Sequence, residues 1–335
     1  MSIPASGDRI NYSLRPAKSV ERKMLKDIFS SLHPFGSVSE YKYIGFGSKY
    51  FSDFKLFHRA LHINDMISIE RDKENSDKYE FNKPFECVQL ELGESNDVLS
   101  RMAFKKKFIA WLDYDTAINK GMLVDIEILI ENLYPGSIIL STFNSVPFRI
   151  VKLQEEFKDE DSTHSELLRK KLKNLVPSEF VPRDIPKKKL ASPQVYSSVV
   201  KLIFENKINS ALLQKNAALS EQEKWKFAQL VYFNYKDGAD MSTLGWIFYQ
   251  NKDLESFNNC AFNSLDFYKN ATDPYQIDIP NLTIKEIRFL QESMPLPEGE
   301  IDREKIPLKI YSDEDVFSFS KVYKYFPNFM DIEIA

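Results

Sequence analysis

The chain has 335 residues, long for one domain and short for three, so one large or two small domains is the starting expectation. Apolar residues make up 43% and charged residues 28%, which excludes a chain disordered throughout; 26 Phe and 16 Tyr against 10 Gly and 16 Pro exclude collagen-like and low-complexity architectures. The formal charge of −4 argues against a globally basic nucleic-acid binder and leaves room for a local basic patch.

Two cysteines, Cys87 and Cys260, cannot build a disulfide framework or a four-cysteine zinc site and read as small core hydrophobes. The N-terminal stretch MSIPASGDRINYS lacks the apolar segment of a signal peptide, and no apolar run approaches the roughly 20 residues that cross a bilayer. The expectation is a cytoplasmic protein without membrane association.

Residues 1–15 are polar and predict little structure before Leu14. Pro16 suits the first turn of a helix, and Val20, Met24, Leu25 and Ile28 follow at helical spacing. An alternation then begins. Tyr41–Ile44 reads as a strand running into Gly45-Phe46-Gly47-Ser48, and Phe54, Phe57 and Leu61 mark a helix. Met66–Ile69, Phe85–Leu92, Phe108–Leu112 and Ser137–Thr142 read as further strands, with a helix carrying Met122, Ile126, Leu129 and Ile130 before the last. Strands alternating with helices predict a doubly wound, parallel α/β sheet. Residues 152–222 lose this rhythm and read as helical and charged, with four prolines between 177 and 193 making an irregular connector. Leu230–Tyr235 and Met241–Tyr249, joined through Asp237-Gly238, predict a closing antiparallel hairpin. In the last stretch, Thr283-x-x-Glu286 and Ser312-Asp313 cap two helices.

Chemistry concentrates at the predicted strand ends. Gly45-Phe46-Gly47-Ser48 sits between a strand and a helix, where doubly wound sheets bind nucleoside or phosphate ligands; a tight turn with no ligand is the alternative. Glu70 ends the second strand 23 residues after Gly47, where a carboxylate can accept both ribose hydroxyls; pairing with Arg71 is the alternative. Leu90-Glu91-Leu92-Gly93-Glu94-Ser95 closes the third strand, where carboxylates or backbone could hold an adenine edge. Trp111-Leu112-Asp113-Tyr114-Asp115 closes the fourth, bringing two carboxylates and a phenol to the ligand-binding edge; capping of the next helix by Asp115 is the alternative. Arg15 and Lys18, on the way into the first helix, could close over an anion or be plain surface charges. The four histidines form no metal motif, and neither GxSxG nor GxxxxGK[ST] is present. Eight basic residues between 169 and 189, including Lys187, Lys188 and Lys189, allow a nucleic-acid contact, against Glu166, Glu179 and Asp184 and the alternative of a solvated connector.

This order of elements resembles a class I S-adenosylmethionine-dependent methyltransferase over about residues 38–250. The strings YIGFGSKYFSDF, FHRALHINDMISIERD, EFNKPF, WLDYD and DGADMSTLG resemble bacterial O-methyltransferase-like proteins. The resemblance implies a Rossmann-like methyltransferase sheet ending in an antiparallel hairpin, with a helical insertion and a helical C-terminal region. It implies a helical lead-in over 1–37, the parallel half of the core over 38–151, a partly basic insertion over 152–225, the hairpin over 226–262 and the C-terminal region over 263–335. S-adenosylmethionine is the implied cofactor. Gly45, Phe46, Gly47 and Ser48 would approach its methionine part, Glu70 its ribose, and the Glu91–Ser95 loop with Gly93 its adenine. Asp113 would line the methyl-transfer crevice, with Asp113, Tyr114 or Asp115 as general base and Arg15, Lys18 and Tyr50 toward the substrate. The family pattern is acidic-x-G-x-G-x-G, and here Tyr43 holds the acidic position and Lys49 the third glycine. That departure, with the aromatic tail of Tyr323, Tyr325, Phe326 and Phe329, supports an alternative: an inactive, methyltransferase-like binding or sensor subunit of a bacterial multi-protein, conceivably defence, system. A protein partner or a homo-oligomer stays open.

Overall fold

The computed structural model describes residues 15–270 and 272–327. The lead-in through Leu14 and the tail residue Phe329 lie outside the described residues.

Helix α1 (Pro16–Ser30) starts with proline in its first turn and buries Val20, Met24, Leu25, Ile28 and Phe29 on one face. The alternating half follows: β1 (Lys42–Gly45), α2 (Ser52–Leu61), β2 (Asp65–Glu70), α3 (Ser76–Asn82), β3 (Val88–Leu92), α4 (Ser95–Arg101), β4 (Phe108–Asp113), α5 (Lys120–Glu131) and β5 (Ser137–Asn144). Helices α6 (Ile150–Phe157), α7 (His164–Leu175) and α8 (Pro193–Asn216) lead to the long strands β6 (Trp225–Asp237) and β7 (Ala239–Gln250). The described C-terminal part holds α9 (Leu254–Asn259), β8 (Tyr275–Ile277), α10 (Ile284–Glu292) and α11 (Asp313–Val322).

The eight strands form one sheet in the order β3-β2-β1-β4-β5-β7-β6-β8. Only β7 runs against its neighbours; every other recorded pairing is parallel. The chain winds outward from β1 to β3 and then returns to place β4 on the other side of β1. That reversal leaves a crevice at the carboxyl ends of β1 and β4, the usual ligand position in open α/β sheets.

Both faces of the sheet are covered, which is why its central strands read as continuous apolar runs. Successive side chains go to opposite cores: Tyr43, Ile109 and Trp111 join one, and Ile44, Ala110 and Leu112 the other. The first core is closed by α1, α2 and the C-terminal helices, through residues such as Leu290, Val316 and Phe319. The second is closed by α5, α7 and α8, through Ile126, Leu168, Val200 and Phe204. The helices of 152–225 are thus part of the sheet's cover.

Several elements differ from their sequence expectations. The third strand begins at Val88, because Phe85 instead packs against the His58 ring, centroids 4.2 Å apart. The first hairpin strand starts at Trp225; a register shift between Gln229 and Val231 interrupts the alternation that would have revealed it. The C-terminal region also contributes β8, paired in parallel with β6 over three residues, too few to show a period.

Candidate functional site

A cleft of about 790 Å³ opens at the carboxyl ends of β3, β2, β1 and β4. That volume suits a small-molecule site. Phe46, Gly47, Ser48, Glu70, Gly93, Asp113, Tyr114 and Asp115 all line it.

The turn after β1 is tightly built. Ser48 and Phe51 both take left-handed backbone, with φ of +47° each, a conformation costly for residues with a Cβ. A Cβ on Gly47 would stand 2.5 Å from the Phe51 ring and 2.6 Å from Ser68 Oγ. A Cβ on Gly45 would stand 2.9 Å from the Tyr43 hydroxyl. Both glycines are therefore required by the protein's own packing, whatever ligand approaches them.

Glu70 ends β2 and is 8% exposed. Its Oε1 accepts the Ser48 N–H at 2.8 Å and the Ser68 hydroxyl at 3.0 Å, while the Gly47 N–H donates to Ser68 Oγ at 3.0 Å. Both of these bonds fall on Oε1. Burial pushes the carboxyl up to about 7, against the lowering effect of these hydrogen bonds. The sequence alternative for Glu70, pairing with Arg71, does not occur; Arg71 lies 3.9 Å from Glu94.

At the end of β4, Asp113 Oδ1 lies 2.8 Å from Lys18 Nζ. Lys18 is 3% exposed. Its ammonium also lies 2.8 Å from Glu21 Oε2, donates to the Tyr235 hydroxyl at 3.0 Å, and stands 4.5 Å from the centre of the Trp111 ring. Burial works against that charge, but Asp113 and Glu21 outweigh it and hold Lys18 above its ordinary range. The network continues from Glu21 to Thr243, from Thr243 to Thr142 at 2.7 Å, and from Thr142 to the Trp111 indole N–H at 2.9 Å. Lys18 is thus an internal cation that ties α1 to β4 and β6, and it is not among the residues that line the cleft.

Tyr114 gives its hydroxyl to Asp125, which also accepts from Ser95 and Asn96. Burial and the Asp125 charge push the phenol well above its usual value, and the Tyr114 ring stands edge-on to Phe46 at 5.3 Å. Asp115 is exposed, and the helix cap its alternative reading foresaw is made by Asn119, which accepts the Met122 N–H. Gly93 takes φ +149° and donates its N–H to the Glu70 carbonyl at 3.0 Å. Glu91 does not line the cleft; it pairs with Arg101 at 2.8 Å. Arg15 and Tyr50 also lie outside the cleft lining, Arg15 close enough to act on Asp237 and Tyr50 beside the Lys49 ammonium.

Arg22 and Asp53 are among the cleft residues that escape the sequence reading. Arg22 follows Lys18 by four positions, so both project from one face of α1. Asp53 lies in the first turn of α2 and accepts the Tyr43 hydroxyl. The available signals were the i, i+4 spacing of Lys18 and Arg22 and an acid at a helix start after a glycine turn.

The basic segment divides in two. Lys170 and Lys171 pair with Asp159 and Glu156 at 2.5 and 2.7 Å, whereas Lys187, Lys188 and Lys189 are exposed on the connector before α8.

Residues 10–334 match a family model described as "Putative O-methyltransferase". No curated protein matches the chain. Similar solved structures include an O-methyltransferase from Bacillus cereus in complex with SAH, at 14% identity and TM-score 0.36 over 72% of this chain and 86% of that one. Another is the O-methyltransferase TomG from Streptomyces achromogenes, involved in tomaymycin synthesis and in complex with SAM, at 12% identity and TM-score 0.32 over 73% and 99%. A probable spermidine synthase from Corynebacterium glutamicum is similar at 12% identity and TM-score 0.30 over 36% of this chain and 48% of that one, so the chain spans about half its length.

Proposed function

Because the chain belongs to this O-methyltransferase family, we propose that its cleft binds S-adenosylmethionine and transfers the methyl group to an oxygen of an acceptor. The observation that carries the reading is that Glu70 and Asp113, the acidic ends of β2 and β4, share one cleft with Phe46, Gly47 and Ser48 of the turn after β1. The donor set fits such a cofactor. The Glu70 carboxylate suits the ribose hydroxyls, the Gly93–Asn96 turn offers polar groups for a purine edge, and the Phe46 and Tyr114 rings give an apolar wall.

When bound, the cofactor supplies an electrophilic methyl group on a sulfonium. The protein's share is positioning and proton removal. Asp113, pinned by Lys18, fixes the wall of the crevice beside the β1 turn. In this reading Asp115, which is exposed and lines the cleft, takes the acceptor's proton. Incubation with S-adenosylmethionine and a panel of hydroxyl-bearing acceptors tests the reading. Acceptor-dependent release of S-adenosylhomocysteine, lost in Glu70→Ala, supports it. Cofactor binding without release on any acceptor favours the non-catalytic subunit instead.

A further inference from the structure

The charge of this chain is not spread evenly. Seven acidic and three basic residues line the cleft. Removing those ten from the chain's 45 basic and 49 acidic residues leaves 42 of each sign, so the formal surplus of −4 resides in the cleft. Some of these carboxylates are answered locally. Lys18, behind the wall, meets Asp113 at 2.8 Å, the Arg22 charge acts on Asp53, and Arg71 stands 3.9 Å from Glu94. Glu70, held up at about 7 by burial, carries part of a charge near neutral pH. What remains is an acidic rim. Asp72 and Glu74 follow the end of β2, Asp115 follows the end of β4, and Glu74 and Asp115 are exposed. The Asn75 side-chain amide donates to Asp72 at 2.6 Å and holds its carboxyl below the usual range. Lys73 offsets one of these three charges.

We propose that the acceptor is a small cation, a hydroxyl compound that also bears an ammonium group, and that the cleft turns away carboxylated and phosphorylated acceptors of the same shape. This deepens the methyl-transfer reading and rests on it. A concave site with low-dielectric walls focuses the field of its lining charges on whatever enters. S-adenosylmethionine brings one net positive charge, on its sulfonium, because its ammonium and carboxylate cancel. The acceptor therefore meets a cleft that is still negative, with Asp72 and Glu74 at the end of one strand and Asp115 at the end of another. An ammonium gains from that field and a carboxylate is repelled by it, so the charge selects by attraction and by exclusion together. The rings of Phe46, Tyr79 and Tyr114 line the same cleft, and aromatic faces attract ammonium groups as well.

The test is calorimetric titration of the full chain, saturated with uncharged S-adenosylhomocysteine, with three phenols that share one ring and differ in charge. Tyramine is cationic, 4-hydroxyphenethyl alcohol neutral and 4-hydroxyphenylacetate anionic. At low salt tyramine should bind about tenfold or more tighter than 4-hydroxyphenylacetate, with the alcohol between them. The gap should shrink several-fold at about 0.5 M salt, where exposed charges are screened. Glu74→Lys reverses one rim charge and should narrow the gap by about threefold or more, with S-adenosylhomocysteine affinity held within about twofold. Equal affinities, a preference for the carboxylate, a gap indifferent to salt and to Glu74→Lys, or binding of none of the three at millimolar concentration overturns the cationic acceptor while the cofactor reading stands. A wild-type protein that does not bind S-adenosylhomocysteine overturns the cofactor reading and this proposal with it.

Discussion

Lys18 and Asp113, 95 positions apart in the chain, meet at 2.8 Å, and through that pair the N-terminal helix fixes the acidic end of the fourth strand. The ammonium is enclosed by two carboxylates, a phenol and an indole ring. Replacing it therefore does more than remove one contact, because Glu21, which is 0% exposed, would keep a buried charge without its counterion.

Lys18→Met should cost about 3 kcal/mol or more in urea denaturation, the scale for breaking a buried ion pair. Adding Glu21→Gln should recover part of that loss, because the stranded charge goes too. A double-mutant cycle reads the coupling directly, and additive losses would show that the two groups do not interact.

Glu70 makes both stability and binding depend on pH. Burial holds its carboxyl up at about 7 in the folded protein, above the ordinary 4.5 of an exposed glutamate. Between those values the folded protein holds a proton that the unfolded chain has released, so stability should fall as pH rises from about 4.5 to about 7 and level off above. Affinity for S-adenosylhomocysteine should move the other way, strengthening as pH passes about 7, because ribose hydroxyls donate best to an ionised carboxylate. Glu70→Gln should flatten this part of both profiles; unchanged profiles would contradict the assignment.

Gly47→Ala should destabilise by roughly 1–3 kcal/mol, since its Cβ would overlap the Phe51 ring and Ser68 Oγ. The same change would move the Ser48 N–H that orients Glu70, so cofactor affinity should fall with stability. Gly238→Ala is the control. It strains a φ of +83° in the hairpin turn, but its Cβ meets nothing within 4 Å, so affinity should hold.

Nucleic acid is a proposed partner of the exposed lysines. If Lys187, Lys188 and Lys189 track phosphates, replacing all three with Ala should lower both affinity and the slope of log K against log salt. An unchanged affinity and slope would mark the run as a solvated connector.

Legibility followed the physics of each signal. The strands β1, β2, β4 and β5 are short apolar runs buried on both faces, and the first three end in glycine or an acid, so residues such as Gly47, Glu70 and Asp113 could be placed at strand ends from local pattern alone. Helices α3 and α4 span seven residues each and bury one and two apolar side chains, too few to show a period. The state of Lys18 was illegible for another reason. Nothing local distinguishes a surface lysine from one buried by Tyr235 and Asp113, which reach it from distant strands. Arg22 and Asp53 share that difficulty: their significance lies in the meeting of α1 with α2 over the cleft.

The proposed function makes this cleft an S-adenosylmethionine site with Glu70 as its ribose ligand. Calorimetric titration of the full chain with S-adenosylmethionine tests it most directly. Saturable binding at one site per chain is expected, weakened by roughly 1–3 kcal/mol in Glu70→Ala for a lost charged hydrogen bond. Absence of binding at millimolar cofactor, or wild-type affinity in the Glu70→Ala protein, would contradict it.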